Sequence, residues 1–192
     1  MSTSPGGTHA FVPCLFSSQL MVLNLKTHKP VLTPSPQAKP TMGTVSWNGK
    51  YWVVEDTAGG KNLVSVYSLA KKTHPALLAD FAAGIGPTTD EITPNSKYAF
   101  EISSGNAKKK VDGSVEVIAL GAKPKIIKTI KLPGFGDTVG AFSPDGSTFY
   151  VNLPSAGAVA AIDVKTMSLI TTIKVGKGPA GLFASTYQWV KH

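Results

Sequence analysis

The sequence contains no arginine, and all 19 of its basic residues are lysine. Arginine is the usual residue for bidentate contacts with phosphates and guanine edges. Its absence therefore argues against a protein that recognises a specific nucleic-acid sequence. The net charge of +8 permits a salt-sensitive attraction to polyanions. We favour a simpler role for the lysines, on solvated turns and sheet edges, where they discourage aggregation.

Cysteine and long apolar runs are also scarce. Cys14 is the only cysteine, so no intrachain disulfide and no CxxC metal or haem-attachment site is expected. No run of 18 apolar residues occurs, which predicts no transmembrane helix. The uncharged stretch 10–25 follows no basic residue and is interrupted by Pro13, Ser17 and Asn24. It therefore resembles two strands more than a signal peptide.

The composition that remains is that of a globular all-β domain. The chain has 192 residues, of which 42% are hydrophobic and 16% charged, which suits one domain with a core. The 19 glycines and 14 prolines indicate many short strands joined by tight turns. No convincing amphipathic helix is present.

The decisive feature is an internal repeat of strand, turn and strand. Residues just before each turn mark the repeat, at intervals of 42, 47, 50 and 42 residues; they are Ser4, Ser46, Thr93, Ser143 and Ser185. A period in the forties with several strands per unit is typical of a propeller. We therefore predict a β-propeller of four four-stranded blades per chain. The approximate bounds are 4–37 plus 178–185, 41–84, 87–132 and 137–176, followed by a tail at 186–192.

The fourth repeat resembles a known family. The stretch 143–181 reads SPDGSTFYVNLPSAGAVAAIDVKTMSLITTIKVGKGPAG and is similar to the YVTN β-propeller repeat. Tyr150, Val151 and Asn152 stand at the name-giving position, where Asn152 replaces the Thr or Ala of the family. The resemblance implies a propeller fold and a periplasmic or cell-surface location. It does not imply one activity, because related propellers include lactonases, redox enzymes, haem-d-type nitrite reductase and surface-layer proteins.

The way the propeller closes is suggested by the two ends of the repeat. The first unit lacks its innermost strand, and residues 178–184 form an extra first strand with no blade after it. We expect this C-terminal strand to complete the N-terminal blade. Either a four-bladed monomer or an eight-bladed ring from two chains that exchange 178–184 fits, and the homodimer is slightly favoured. A fragment of a larger propeller is the third alternative.

Acidic residues on the innermost strands are the first candidates for a site. Thr89, Asp90 and Glu91 in the third unit and Asp137 in the fourth are expected at the mouth of the central channel. They would bind a cation such as Ca²⁺ or act as a general acid–base pair. The alternative is that they are solvated or bonded to neighbouring strand ends. No other cofactor is predicted.

Trp47, Tyr51 and Trp52 cluster at the first hairpin of the second unit. They would form an aromatic platform for a sugar or peptide, or they would simply pack one blade against the next.

These observations favour a non-enzymatic scaffold that presents a loop face or the channel mouth to a protein partner or a small ligand. The first alternative is a lactonase-like hydrolase or a redox enzyme with a metal at the channel mouth. The second is a structural repeat protein of the cell envelope.

Overall fold

The computed structural model describes residues 1–35, 39–56, 62–136 and 138–181. The described chain contains sixteen strands in four antiparallel sheets, and each sheet is formed by four consecutive strands. Blade 1 comprises β1 (Ser2–Thr3), β2 (His9–Cys14), β3 (Gln19–Asn24) and β4 (Pro30–Pro34). Blade 2 comprises β5 (Pro40–Val45), β6 (Tyr51–Asp56), β7 (Leu63–Ser68) and β8 (Ala76–Ala82).

The second half of the chain repeats this arrangement. Blade 3 comprises β9 (Pro87–Ile92), β10 (Tyr98–Ser103), β11 (Ser114–Ala119) and β12 (Lys125–Lys131). Blade 4 comprises β13 (Gly140–Phe142), β14 (Thr148–Leu153), β15 (Ala158–Asp163) and β16 (Ser168–Lys174). One short 3-10 turn, Pro154–Ala156, is the only helical element among the described residues. The predicted all-β propeller of four four-stranded blades is confirmed.

The first hairpin of blade 2 shows how the repeat makes its turns. The Ser46 hydroxyl donates to Asn48 Oδ1 at 2.8 Å, and the same oxygen accepts the Lys50 backbone N–H at 3.0 Å. Gly49 has φ +67, a conformation that glycine adopts without a Cβ clash. Blades 3 and 4 repeat the hydroxyl contact with Thr93 and Asn95 and with Ser143 and Asp145. A short side chain that bonds its own turn therefore fixes each hairpin.

The blades stack through the two faces of their central strands. Seam 1–2, between blades 1 and 2, buries Phe11, Leu20, Val22, Val45, Trp52, Val54, Tyr67 and Leu69. Seam 2–3 buries Val53, Val64, Val66, Ile92, Ala99 and Ile118. Seam 3–4 buries Phe100, Ile102, Val115, Val117, Ile130, Leu132, Phe149, Val151, Leu153, Ala158, Ala160 and Ile162. Among the described residues no core cluster joins blade 4 to blade 1. The four blades, joined in sequence by these three seams, are called the arc below.

Two equivalent isoleucines show where the arc ends. Ile130 is the sixth residue of β12, and Ile173 is the sixth residue of β16. Ile130 is 6% exposed because blade 4 covers it, whereas Ile173 is 46% exposed. The face of blade 4 that carries Ile173 therefore has an apolar residue where blade 3 has a buried one. No described residue covers it to the same extent.

The innermost position of blade 1 differs from the sequence interpretation. Ser2 pairs with Phe11 and Thr3 with Ala10, so the blade has a short innermost strand of its own. Pairing across the adjacent turn closes a very short loop, which costs little chain entropy. Residues 178–181 form no strand, and the Pro179 carbonyl accepts a hydrogen bond from Asn152 Nδ2 in blade 4 at 2.8 Å. The rest of the expected closing strand, 182–184, lies outside the described residues.

Candidate functional site

A recess of about 300 Å³ lies against the innermost strands of blades 1, 2 and 3. It is lined by Ser2, Thr3, Ser4, Pro5, Thr44, Val45, Ser46, Trp47 and Glu91. Most of this lining is hydroxyl groups and one indole, and Glu91 is its only ionisable side chain. The recess therefore combines polar anchors with a single carboxyl group, as small-ligand sites commonly do.

Glu91 is the group in this recess that can move a proton. It lies on β9 opposite Phe100 and is half-buried. Burial raises the pKa of Glu91 from 4.5 to about 7, and the negative charge of the adjacent Asp90 adds to the effect. A carboxyl group whose pKa lies near neutrality can accept and return a proton under ordinary conditions.

The walls of the recess are held by hydrogen bonds across blades. Ser2 Oγ accepts the Val45 backbone N–H at 2.9 Å, which ties blade 1 to blade 2. Thr44 Oγ1 donates to the Asp90 carbonyl at 2.9 Å, which ties blade 2 to blade 3. Trp47 Nε1 donates to the Ile92 carbonyl at 3.2 Å, while 60% of the Trp47 side chain stays exposed. These bonds connect the three blades that form the recess.

The expected channel-mouth group does not come together as one cluster. Glu91 lines the recess, but Asp90 is 1% exposed and opposes the buried Glu101 on the other face of β9. Neighbouring residues in a strand point to opposite faces, which the sequence interpretation overlooked. Thr89 is 8% exposed and opposes Ile102. Asp137 lies outside the described residues.

The aromatic residues at the first hairpin of blade 2 do not share one surface either. Trp52 is fully buried in seam 1–2, with its ring centroid 5.4 Å from that of Phe11 and 6.0 Å from that of Tyr67. Tyr51, its neighbour in β6, packs on the opposite side, against seam 2–3. Only Trp47 offers a largely exposed ring. Because neighbouring strand residues point to opposite faces, only one of the three predicted platform residues remains available to a ligand.

The structure reveals a row of buried acidic residues in seam 2–3. Asp90 on β9 opposes Glu101 on β10, which in turn opposes Glu116 on β11. Glu55 on β6 of blade 2 interacts with Asp90 across the seam. All four side chains are at most 4% exposed.

Two of these acids have hydroxyl partners, and two do not. Ser103 Oγ lies 3.2 Å from a Glu101 oxygen and 3.1 Å from a Glu116 oxygen, and Ser114 Oγ donates to Glu116 at 2.7 Å. Among the described residues, no group donates a hydrogen bond to any of the four carboxylate oxygens of Glu55 and Asp90. Because water is excluded, the charged form of such a group is disfavoured.

The pKa directions in this row agree with that geometry. Burial raises the pKa of Glu55 from 4.5 to about 7, with a further contribution from Glu101. Burial also raises the pKa of Asp90 well above its usual value, and the charge of Glu55 raises it further. The pKa of Glu101 is raised by burial and by Glu116. At neutral pH the row therefore carries fewer charges than its four carboxyl groups would carry in water.

A second acidic contact lies in seam 1–2. Ser65 Oγ lies 3.1 Å from Asp56 Oδ2 and 2.7 Å from Asp80 Oδ1. Burial raises the pKa of Asp56 from 3.8 to about 6. Both seams of blade 2 therefore contain acids on the side away from its first hairpin.

Sequence reasoning did not single out Glu55, Glu101 or Glu116, although a signal for them exists. They stand in β6, β10 and β11, which are second or third strands within otherwise apolar runs. Such strands are covered on both faces by the neighbouring blades, so an acidic side chain there must be buried. The repeat alone was thus sufficient to find them.

The expected cation remains a prediction. Within 1–35, 39–56, 62–136 and 138–181, no group of three or more His, Cys, Asp or Glu side chains is arranged to hold a metal ion. Asp137, one of the expected ligands, is outside those ranges. In the same part of the chain, no helix is long and apolar enough to cross a membrane.

Comparison with known proteins identifies the fold but no sequence family. No family model matches, and no curated protein matches by sequence. Solved β-propeller structures do match. Hydrazine synthase from Kuenenia stuttgartiensis is 20% identical with a TM-score of 0.75, over 91% of this chain and 48% of that one.

Two further matches carry lactonase names. The periplasmic gluconolactonase of Pseudomonas aeruginosa is 15% identical with a TM-score of 0.70, over 96% of this chain and 56% of that one. A 6-phosphogluconolactonase-like protein from Bacteroides fragilis is 17% identical with a TM-score of 0.69, over 91% and 54%. The chain thus spans about half the length of the structures that it matches.

These matches require one correction. The sequence interpretation favoured a non-enzymatic scaffold, but three of the matched propellers carry enzyme names: the hydrazine synthase, the gluconolactonase and the 6-phosphogluconolactonase-like protein. The preference for a scaffold was therefore wrong. It rested on the lack of a recognisable catalytic motif, and a propeller site assembled from several blades has no contiguous motif to recognise.

Proposed function

We propose that this propeller is a lactonase-like hydrolase that acts on a small sugar lactone, with Glu91 as the proton-transferring group. The observation that carries the proposal is a half-buried carboxyl group with a pKa of about 7 in a recess of about 300 Å³. A recess of this volume suits one small polar molecule. The propeller lactonases among the structural matches support the same reaction class.

The proposed reaction needs one water molecule and one proton shuttle. The ionised Glu91 carboxylate accepts a proton from the water as its oxygen attacks the lactone carbonyl carbon. A tetrahedral intermediate forms, and the bond from the carbonyl carbon to the ring oxygen then breaks. Glu91 returns the proton to that oxygen, so the product is a hydroxy acid and Glu91 is ionised again.

Other residues of the recess would orient the substrate. The exposed Thr3 hydroxyl would bind a sugar hydroxyl, whereas the buried Ser4 and Ser46 hydroxyls already bond their own turns. The exposed face of Trp47, whose indole is anchored to the Ile92 carbonyl, would pack on the C–H face of the ring. This assignment retains one residue of the aromatic platform.

The test is the rate of glucono-δ-lactone hydrolysis, which is measured as the release of protons by the product acid. The spontaneous rate is subtracted. We expect Glu91→Gln to lower kcat/KM by at least about 100-fold, a common loss for a general base. Asp112→Asn, a change at an exposed loop carboxylate, is the matched control and should leave the rate unchanged. Thermal unfolding of both variants separates loss of chemistry from loss of fold.

Two outcomes would contradict the proposed hydrolase activity. One is a folded wild-type protein that adds nothing to the spontaneous rate for glucono-δ-lactone and its 6-phosphate. The other is a Glu91→Gln variant that hydrolyses the lactone as fast as the wild type.

We also propose that a second copy of the chain completes the ring. The arc of four blades and the half-length coverage of the matched structures support an eight-bladed homodimer. The YVTN repeat type and a location outside the cytoplasm stay predictions from the resemblance. Light scattering after size exclusion tests the dimer: twice 20.1 kDa supports it, and a monomer at micromolar concentration contradicts it.

A further inference from the structure

The row of acids in seam 2–3 has a feature that the proposed hydrolase does not use. Glu55 is 0% exposed and Asp90 is 1% exposed, so neither reaches the recess or the solvent. No group in the described chain donates a hydrogen bond to their carboxylate oxygens. Thr44 lies beside Asp90 and lowers its pKa, but its hydroxyl donates to the Asp90 backbone carbonyl. A buried polar group without a partner is costly, so the pair requires a proton or an ion.

Within the described part of the chain, the strands around this pair carry no positive side chain. Strands β5, β6, β7, β9, β10 and β11, which form and flank the seam, contain no lysine and no histidine. The carboxyl groups that the described residues place around the pair are five. They are Glu101 and Glu116 in the same seam, Glu91 beside Asp90 on β9, Asp56 beside Glu55 on β6, and Asp80 on the far face of blade 2.

A proton is the simplest group that satisfies both carboxyls. When one of the two is protonated, its O–H donates to the other, so one proton supplies the missing donor and removes one charge. Because Glu55 belongs to blade 2 and Asp90 to blade 3, this bond joins the two blades. A metal ion would need further ligands, and the described residues do not supply a group of three.

We infer that Glu55 and Asp90 form a proton-binding site that joins blades 2 and 3. The site holds one proton between two carboxyl groups. When the proton is lost, two adjacent negative charges remain in a dry seam and push the blades apart.

The direction of the pH dependence follows from linkage. The pKa of Glu55 is about 7 in the folded chain and 4.5 in the unfolded chain. Between these two values the folded state binds more protons than the unfolded state, so the stability falls as the pH rises. The contribution of Glu55 is lost as the pH rises through about 7, and it is opposite in sign to that of an acid in a salt bridge.

The test is thermal unfolding of the full chain between pH 5 and pH 8.5 at fixed ionic strength with EDTA. We expect the Tm of the wild type to fall by about 5 °C or more across this range. Glu55→Gln keeps the volume and gives Asp90 an N–H donor. It should raise the Tm at pH 8 by about 3 °C and reduce the pH dependence.

The exposed Asp112→Asn is the matched control and should follow the wild type. A wild-type Tm that does not change with pH would overturn the inference, as would a Glu55→Gln variant with the wild-type slope. A rise of the wild-type Tm at pH 8 on addition of 1 mM Ca²⁺ alone, absent in Glu55→Gln, would also overturn it in favour of a cation site. If Glu55→Gln does not fold, Asp90→Asn is tested for the same reduced slope. Catalytic activity enters none of these outcomes, so failure here is independent of the proposed hydrolase.

Discussion

Blade 3 packs against a neighbour on each side, and its two seams differ in chemistry. Seam 3–4 is filled by aromatic rings, with centroids 5.0 Å apart for Phe100 and Phe149 and 4.6 Å apart for Phe142 and Phe149. Seam 2–3 is aliphatic at one end and carries Glu55 and Asp90 at the other. The first seam therefore depends on apolar burial, which pH does not change, while the second depends on how many protons it holds.

The polar groups of seam 3–4 reinforce this contrast. Thr88, Ser104 and Thr138 form a triangle of hydroxyls with oxygen–oxygen distances of 3.1–3.3 Å. Hydroxyl groups both donate and accept, so this triangle is satisfied without a charge. One side of blade 3 thus buries neutral hydroxyls, whereas the other side buries carboxyls.

The largest expected effect is on the aromatic seam. Phe149→Ala should lower the free energy of unfolding by about 3–5 kcal/mol, because it opens a cavity beside Phe100 and Phe142. Denaturant unfolding at pH 5 and at pH 8 should give the same loss. A loss that differs by more than about 1 kcal/mol between the two pH values would show that the seams are not independent.

The stability that seam 2–3 contributes should change with pH in the wild-type protein, without any substitution. The shift of the Glu55 pKa from 4.5 to about 7 corresponds to at most about 3 kcal/mol of stability, present at pH 4.5 and lost by pH 8. Denaturant unfolding of the wild type at these two pH values measures it. Greater stability at pH 8 would contradict the assignment.

Much of this architecture is predictable from the sequence, but the site is not. The repeat markers place the hairpins because Ser46, Thr93 and Ser143 begin turns whose chemistry is local. The recess depends on which strands meet at the axis, and no local pattern around Glu91 reports that. Asp90 was expected at the channel mouth but lies in seam 2–3, because neighbouring residues of a strand point to opposite faces. Predicting this requires knowing which face each residue occupies.

The open end of the arc gives an intermediate effect. Ile130→Ala should cost about 2–4 kcal/mol because the side chain is buried in seam 3–4. The equivalent change Ile173→Ala should cost less than about 1 kcal/mol in a monomer, since the residue is half-exposed. Denaturant unfolding at two protein concentrations measures both. A large, concentration-dependent cost at Ile173 would show that a second copy covers blade 4.

The smallest expected effect concerns a turn. Hydrogen bonds from Ser143 and Ser147 hold the pKa of Asp145 down at about 2. Asp145→Ala removes these bonds at a solvent-exposed hairpin, so the Tm should fall only slightly and equally at pH 5 and pH 8. A change in the pH dependence would contradict the assignment of that dependence to the buried seams.

The most direct measurement is the pH profile of kcat/KM for glucono-δ-lactone between pH 5 and pH 9. The account requires a rise through an inflection near 7, the pKa of Glu91, because the general base must be ionised. The inflection should disappear in Glu91→Gln. A wild-type profile that matches the uncatalysed reaction, or an inflection that survives in Glu91→Gln, would contradict the proposed role of this recess.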